Sequence, residues 1–518
     1  MFYLCSMSDL HVVWFRRDLR VHDHAALAAA CASAGDIVPL YVIDPEDWHA
    51  PEASARQFDF LIEALADLDH ALRRRGSQLC LRIGPSREIL SGLHARHGIA
   101  ALYMNGTPSP AGTAGRDRDI RNWAMRAGVP LRETGGGHPV SSEFTLEAWQ
   151  DDMKRSRLAA PDRLPPISLP SDPWPCASDF GLEDTPCPDR QTGGRTRAIL
   201  NLRRFLGGAG RDAAKAGLSI SARNASASAL SPYLALGCLS EREVWQGAMK
   251  ARAALLADGD TTFAAALDRF AGNLERRARM RASGAGMPLR RLTTRLEDDP
   301  HDRPAATGSD PRLAVWATGM TGFPILDAGM RCLRETGSLE AGLRELLLSF
   351  ATCHLWLRPD APCRTMARLS LDYDTALFDM NARQVIGIAG GRPAYIPNPV
   401  RQGLARDPDG AFIRKWVPEL AALPDSWLHA PWEAPKSVLA RHGIIFGQTY
   451  PMRMVDHMAA AREARHRLCP AEELPDLPYR NVAPRPAMRS ASGRRKTARA
   501  ARPALGPVQL SFDLQGHA

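Results

Sequence analysis

Cysteine pairs are the first absence. Ten cysteines are spread over 518 residues with no CxxC unit and no cysteine–histidine cluster at zinc spacing. That scatter excludes a disulfide framework and a zinc finger, and it suits reduced thiols inside a cell. No cysteine-held iron–sulfur cluster is expected, since Cys469 is the one cysteine beyond Cys363. No apolar run approaches the roughly 20 residues of a membrane helix. The opening MFYLCSMSDL lacks the charged start and apolar core of a signal peptide. A cytoplasmic protein without membrane contact is therefore expected, with Met7 as a second candidate start. There is no internal repeat, no metal-ligand pattern and no sign of an obligate protein partner. The last absence is local: residues 371–391, LDYDTALFDMNARQVIGIAGG, contain no tryptophan.

What is present in quantity is apolar surface and arginine. Hydrophobic residues make up 45% of the chain, enough at this length for more than one core. The formal net charge of +9 makes a polyanion such as nucleic acid a reasonable partner.

Residues 8–134 alternate short β-rich runs (HVVWF, IVPLYVID, LCLRIG, ALYMNG) with amphipathic helical stretches. This alternation predicts an α/β domain, an open parallel sheet with helices on both faces. Residues 135–190 are dense in proline and aspartate without a sustained period, and read as an interdomain linker. Long helical periods dominate residues 191–468, which predicts a mostly α-helical second domain. Residues 469–518 are basic and poor in large apolar groups, so a disordered tail is expected.

Four stretches carry chemistry. In VVWFRRDLRVHDHAAL, residues 12–27, a buried strand runs into Arg16, Arg17, Asp18, Arg20 and Asp23. Past the carboxyl end of a strand such residues line a ligand crevice or close the domain as an ion-pair network. In RNASASALSPYLALGCLS, Ser231 is a natural N-cap with Pro232 in the first turn. Ser226 and Ser228 lie nearby, a combination that suits an anion such as a diphosphate. WATGMTGFPILDAGMRCLRETG, residues 316–337, reads as a glycine loop followed by a helix from Pro324 that stops near Gly337. Asp372 and Asp374 either hold a ligand or pair with arginines and cap helices.

These stretches together resemble the DNA photolyase and cryptochrome family. Residues 16–27 match its R-x-D-L-R-x-x-D-x-x-A-L signature, residues 228–234 its S-x-L-S-P-Y-L pattern, and residues 316–331 its W-x-x-G-x-T-G-x-P-x-x-D-A-x-M-R motif. The resemblance continues through YIPNPVRQGLARDPDGAFIRKWVPEL, residues 395–420. It implies FAD bound in the helical domain by Ser228, Leu230, Ser231, Arg277, Arg344, Asp372 and Asp374. It also implies a folate-type antenna contact at Asn105, whose bottom-up reading is a loop following a strand. Trp316 matches the outer station of the family's electron relay and Trp356 lies close to a lost one, while Ala382, Gln384 and Pro359 fill positions where relatives carry tryptophan.

The family's DNA-contacting helix is altered here to NLERRARM. Asn273 stands for a carboxylate and Arg276 for a tryptophan, so charge replaces a stacking surface whose contribution is about 1–3 kcal/mol per base. The implied activity is repair of pyrimidine dimers in damaged duplex DNA by an electron from photoexcited reduced FAD, as a carbon–carbon lyase. A blue-light photoreceptor without repair, and a non-catalytic paralogue, stay open as alternatives.

Overall fold

The structure is a computed structural model that describes residues 10–33, 35–106, 114–135, 145–166, 169–183, 185–214, 220–221, 227–284, 303–304, 310–387 and 394–468. Five parallel strands form its one sheet among these residues, in the order β3-β2-β1-β4-β5: β1 Leu10–Phe15, β2 Asp36–Ile43, β3 Cys80–Ile83, β4 Ile99–Gly106 and β5 Leu131–Gly135. The first four lie on the β-rich runs. β5 was not anticipated and ends at the edge of the expected α/β domain.

Alternation along β1 divides two cores. Val12 and Trp14 pack on one face with Leu40, Leu90, Leu102 and Trp123. Val13 and Phe15 pack on the other face with Phe58 and Leu61 of the helix Ala55–Arg73. This second core continues into Phe205, Tyr233, Val244 and Leu267, so the first helices of the expected helical domain seal one face of the sheet. A third core gathers Trp316, Phe323, Leu326, Leu347, Phe350 and Phe412.

The expected linker holds some regular structure. The helix Leu146–Lys154 is capped by Thr145, and Ala177–Phe180 forms a 3-10 turn. Much of what remains of the stretch lies along the sheet, with Asp172 accepting from Ile83 N–H at 2.8 Å. Residues 136–144 and the tail 469–518 lie outside the described residues.

The signature after β1 closes the two parts onto each other. Leu19 N–H donates to Leu236 O at 3.1 Å, and the Arg20 guanidinium donates to Gly237 O at 2.9 Å. Asp23, held at φ +50°, accepts from Ser240 Oγ at 2.5 Å and pairs with Arg242 at 2.6 Å. Gly237 has φ +66° and lies against the backbone of Arg17 and Asp18, where a Cβ has no room. From the other side Arg56 donates to the carbonyls of Leu333, Arg334 and Leu369 at 3.4, 2.9 and 3.2 Å. It thereby satisfies the orphan ends of the helices Pro324–Thr336 and Asp360–Leu369.

Candidate functional site: a half-buried arginine–carboxylate cluster

Asp372 and Asp374 face a concentration of arginines. Asp372 accepts from Ser231 Oγ at 2.7 Å and pairs with Arg344 at 2.9 Å. Asp374 caps the helix Thr375–Ile386 through Leu377 N–H, and it pairs with Arg281 at 3.3 Å and, more distantly, Arg17 at 3.9 Å. Glu241 lies 3.6 Å from Arg277 and 3.9 Å from Arg281. Arg277 and Arg281 are four apart on the helix Thr261–Gly284 and therefore share a face.

Burial by itself raises a carboxyl pKa, yet both aspartates lie below the ordinary carboxylate value. Arg344, Ser231 and Arg277 outweigh burial at Asp372. Arg281, Arg17 and Arg277 do so at Asp374. For Arg277 burial and the neighbouring Arg281 act together and lower its affinity for its proton.

Four arginines thus meet three carboxylates, Asp372, Asp374 and Glu241. Several guanidinium donors carry no hydrogen bond, Arg17 Nη1 and Arg277 Nε and Nη2, while Asp372 Oδ1 and Asp374 Oδ2 are engaged by Arg344 and Arg281. Buried polar groups are ordinarily satisfied, so donors left over inside a cationic cluster suit a ligand that brings an anion, with carboxylates at hand for its hydroxyl groups. A dinucleotide such as FAD fits that description through its diphosphate and ribose.

Not every expected residue arrives as anticipated. Ser231 is not the N-cap: the helix Ser231–Ala235 has five residues, and Leu230 occupies the cap without a side-chain bond. The Ser231 hydroxyl is directed to Asp372 instead, so the cations, not a helix start, make the place for an anion. Leu230 is core at 1% exposure, Ser228 is half-buried, and Ser226 lies outside the described residues. Between Ser228 and Leu230, Ala229 takes φ +53°, a conformation uncommon for a residue with a Cβ.

Asn273 and Arg276 are exposed on the outer face of Thr261–Gly284, opposite in role to their neighbour Arg277. Asn105 is 2% exposed and internally committed. Its amide nitrogen donates to Asp18 at 2.7 Å, and its oxygen accepts from Ala26 N–H and Thr134 Oγ1 at 3.0 and 3.2 Å. Asn105 thereby bridges the end of β4 to the turn after β1 and to the start of the helix Ala25–Cys31. Asp18 also faces His24 Nε2 at 3.1 Å. Because His24 Nδ1 accepts from Leu27 N–H, the ring proton is on Nε2.

The two tryptophans have different surroundings. Trp316 is fully buried and donates its indole N–H to Leu347 O at 3.1 Å. Trp356, at φ +52°, lies between the Arg303 and Arg467 guanidiniums, each 4.8 Å from a ring centroid.

A separate cavity of about 850 Å³ opens past the carboxyl ends of β1 and β2, between the two parts of the chain. Trp14, Arg16, Tyr41, Trp48, Tyr373 and Asp379 are among its walls. Arg17 reaches both this cavity and the cluster. Arg17, expected past the end of β1 in a ligand crevice or an ion-pair network, faces Asp374; sequence reasoning missed Glu241 and Arg281, of which only Arg281 carried a signal, its four-residue spacing from Arg277.

No group of three or more metal-ligating side chains and no helix long and apolar enough to cross a membrane occurs among the described residues. Residues 11–142 match the family described as DNA photolyase, and residues 277–469 match the FAD binding domain of DNA photolyase. The chain is 30% identical over 494 residues to a cryptochrome DASH of Gloeobacter violaceus, covering 88% of this chain and 95% of that one. It is 30% identical over 485 residues to a deoxyribodipyrimidine photo-lyase of Agrobacterium fabrum, covering 88% and 96%. A bacterial class III photolyase from Agrobacterium tumefaciens superposes with a TM-score of 0.73 at 27% identity, over 90% of this chain and 98% of that one. An archaeal photolyase from Sulfolobus tokodaii, solved with two FAD molecules, superposes with a TM-score of 0.68 at 23% identity, over 88% and 99%. These cryptochrome and photolyase relatives match across nearly their whole length, and the chain belongs to the DNA photolyase and cryptochrome family, with that family's FAD-binding domain in its helical half.

Proposed function

We propose that the protein is a FAD-dependent photolyase-like enzyme that repairs pyrimidine dimers in DNA under blue light. The observation that carries this reading is the half-buried cluster of Arg277, Arg281, Arg344 and Arg17 around Asp372 and Asp374, with guanidinium donors left over beside a FAD-binding domain. Bound reduced FAD supplies one-electron chemistry when excited by light. The chain's own residues position and tune: arginines neutralise the diphosphate, Asp372 and Asp374 accept hydrogen bonds, and Ser231 fixes Asp372. Ser228 stands half-buried close in sequence to Ser231, with Leu230 packed in the core beneath. The exposed Asn273 and Arg276 offer the DNA a hydrogen-bonding and phosphate-pairing surface. A base taken out of the stack is the family's route to such chemistry.

The cavity past the ends of β1 and β2 suits a further planar chromophore. Its Trp14, Trp48 and Tyr41 walls provide stacking surface, its arginines suit an anionic group, and a relative holds two FAD molecules. A second reading is a photoreceptor without repair. It is favoured by the exposed arginine at position 276, where an aromatic platform would hold a flipped base.

The test is the absorption spectrum of the purified protein before and after blue light with a reductant, followed by a repair assay on a synthetic dimer. Oxidised FAD that bleaches, together with dimer splitting, supports the enzyme. Bleaching without splitting moves the assignment to the photoreceptor, and protein that binds no added FAD defeats both.

A further inference from the structure

The cavity of about 850 Å³ has a more acidic wall than the chain around it. Eight carboxylates and five guanidiniums line it, in a protein whose formal net charge is +9. Two of those guanidiniums are already spent. Arg16 pairs with Asp117 at 2.5 Å, and Arg116 with Asp47 at 2.5 Å and Asp44 at 3.8 Å. Asp360 is answered by Arg358 at 2.8 Å. Glu52 and Asp379 have no ion pair among the described residues, and Asp379 Oδ2 has no hydrogen bond.

Aromatic rings share this part of the wall. Tyr373 precedes the helix Thr375–Ile386, which carries Phe378 and Asp379, and it meets Phe378 edge-on with ring centroids 5.5 Å apart. The charge of Glu52 reaches both Tyr373 and Asp379. Past β2, Tyr41 and Trp48 add ring surface, with Trp48 set edge-on against Phe58 at 4.7 Å. Ring faces are electron-rich and draw a cation, and carboxylates left without a partner strengthen the same preference. An anion meets the opposite balance there. Arg17, 3.9 Å from Asp374, and the exposed Arg87 remain for an anionic substituent elsewhere on a ligand.

We propose that this cavity takes a planar organic cation, a ring system with a protonated or quaternary nitrogen, between the aromatic side chains and the carboxylates of Glu52 and Asp379; this rests on the reading of the cavity as a site for a planar ligand. Its volume lies within the range of about 300–1,000 Å³ that holds small-molecule ligands.

Asp379 makes the site sensitive to pH. Burial pushes its carboxyl up to about 7, Arg383 opposes the rise, and Glu52 and Asp374 add to it. Asp360, Cys363 and Arg364 of the helix Asp360–Leu369 also line the cavity. A cation favours the ionised carboxyl, so affinity rises as pH rises toward about 7 and levels off above it. His49, another wall residue, acts in the same sense when it takes a proton, and Asp379→Asn separates the two.

The experiment titrates FAD-loaded protein without DNA with N-methylacridinium, a planar permanent cation, and with acridine, its neutral counterpart at pH 8, reading binding by ring fluorescence. The cation is expected to bind about tenfold or more tightly than acridine. It should also bind about tenfold more tightly at pH 8 than at pH 6. Asp379→Asn and Glu52→Gln are each expected to weaken the cation severalfold and leave acridine unchanged, and Asp379→Asn to flatten the pH dependence. Equal affinity for the two probes, or cation binding that both variants leave intact, overturns the proposal. If Asp379→Asn does not fold, Glu52→Gln decides: weaker binding of the cation alone supports the proposal and unchanged binding overturns it. Flavin mononucleotide tests the underlying reading. Protein that takes up flavin mononucleotide but not N-methylacridinium keeps the planar-ligand reading and defeats the cation, whereas protein that takes up none of the three defeats both.

Discussion

Asp372 and Asp374 stand two residues apart and answer to different cations, Arg344 for the first and Arg281 for the second. Asp372→Asn keeps the shape and removes the charge, leaving Arg344 and the half-buried Arg277 facing a neutral amide. Breaking a buried pair from one side costs about 3–5 kcal/mol, so denaturant unfolding should register a loss of that order together with less FAD per chain in the absorption spectrum. Asp379 behaves in the opposite sense. Its folded-state affinity for a proton is raised to about 7, against about 3.9 in an unfolded chain. The folded state therefore holds the proton more tightly, and stability falls as pH rises from about 4 to about 7. Asp379→Asn cannot ionise: its melting temperature should exceed the wild type's at pH 8, with the advantage gone by about pH 4. The aspartate pair was legible in the sequence through its motif. Its partner Arg17 was not, because nothing local shows that the end of β1 reaches the start of the helix Thr375–Ile386.

At the scale of elements, the loop before Pro324 is more constrained than its glycines suggest. Gly319 and Gly322 take φ +67° and +78°, and Asp327 pins the turn. Its carboxylate accepts from Thr321 N–H at 2.7 Å, Thr321 Oγ1 at 2.6 Å, Gly322 N–H at 3.1 Å and Tyr450 Oη at 2.7 Å. Asp327→Ala strands these donors in a site with no exposure at Asp327. At about 1–3 kcal/mol for each buried group left unsatisfied, it should unfold at markedly lower denaturant, measured by circular dichroism. The helix Pro324–Thr336 itself was readable from its apolar spacing and Gly337. β5 was not, since Arg132 and Glu133 are exposed on an edge strand and no apolar alternation marks it. Ser231 misled for a related reason: a short polar side chain before proline favours a cap locally, and a carboxylate from a remote segment took its hydroxyl.

Across the whole molecule, the two parts share one apolar core and a set of charged fasteners. Gly237→Ala places a methyl against the Arg17 backbone at a φ that disfavours it. Calorimetry should show an earlier unfolding transition, with the α/β and helical parts beginning to melt separately. The order of α/β then helical regions followed from periodicity. The way they interlock did not, because contacts such as Asp23 with Arg242 join segments whose local patterns carry no trace of one another. Arg56 has a practical consequence for protein engineering. It rises from the helix Ala55–Arg73 to close the carbonyl ends of two helices in the other half. A chimera that grafts a foreign amino-terminal half onto this carboxyl-terminal half must import an arginine at that spot, or the recipient is left with bare helix ends beneath the graft. The halves are interchangeable only as a matched set.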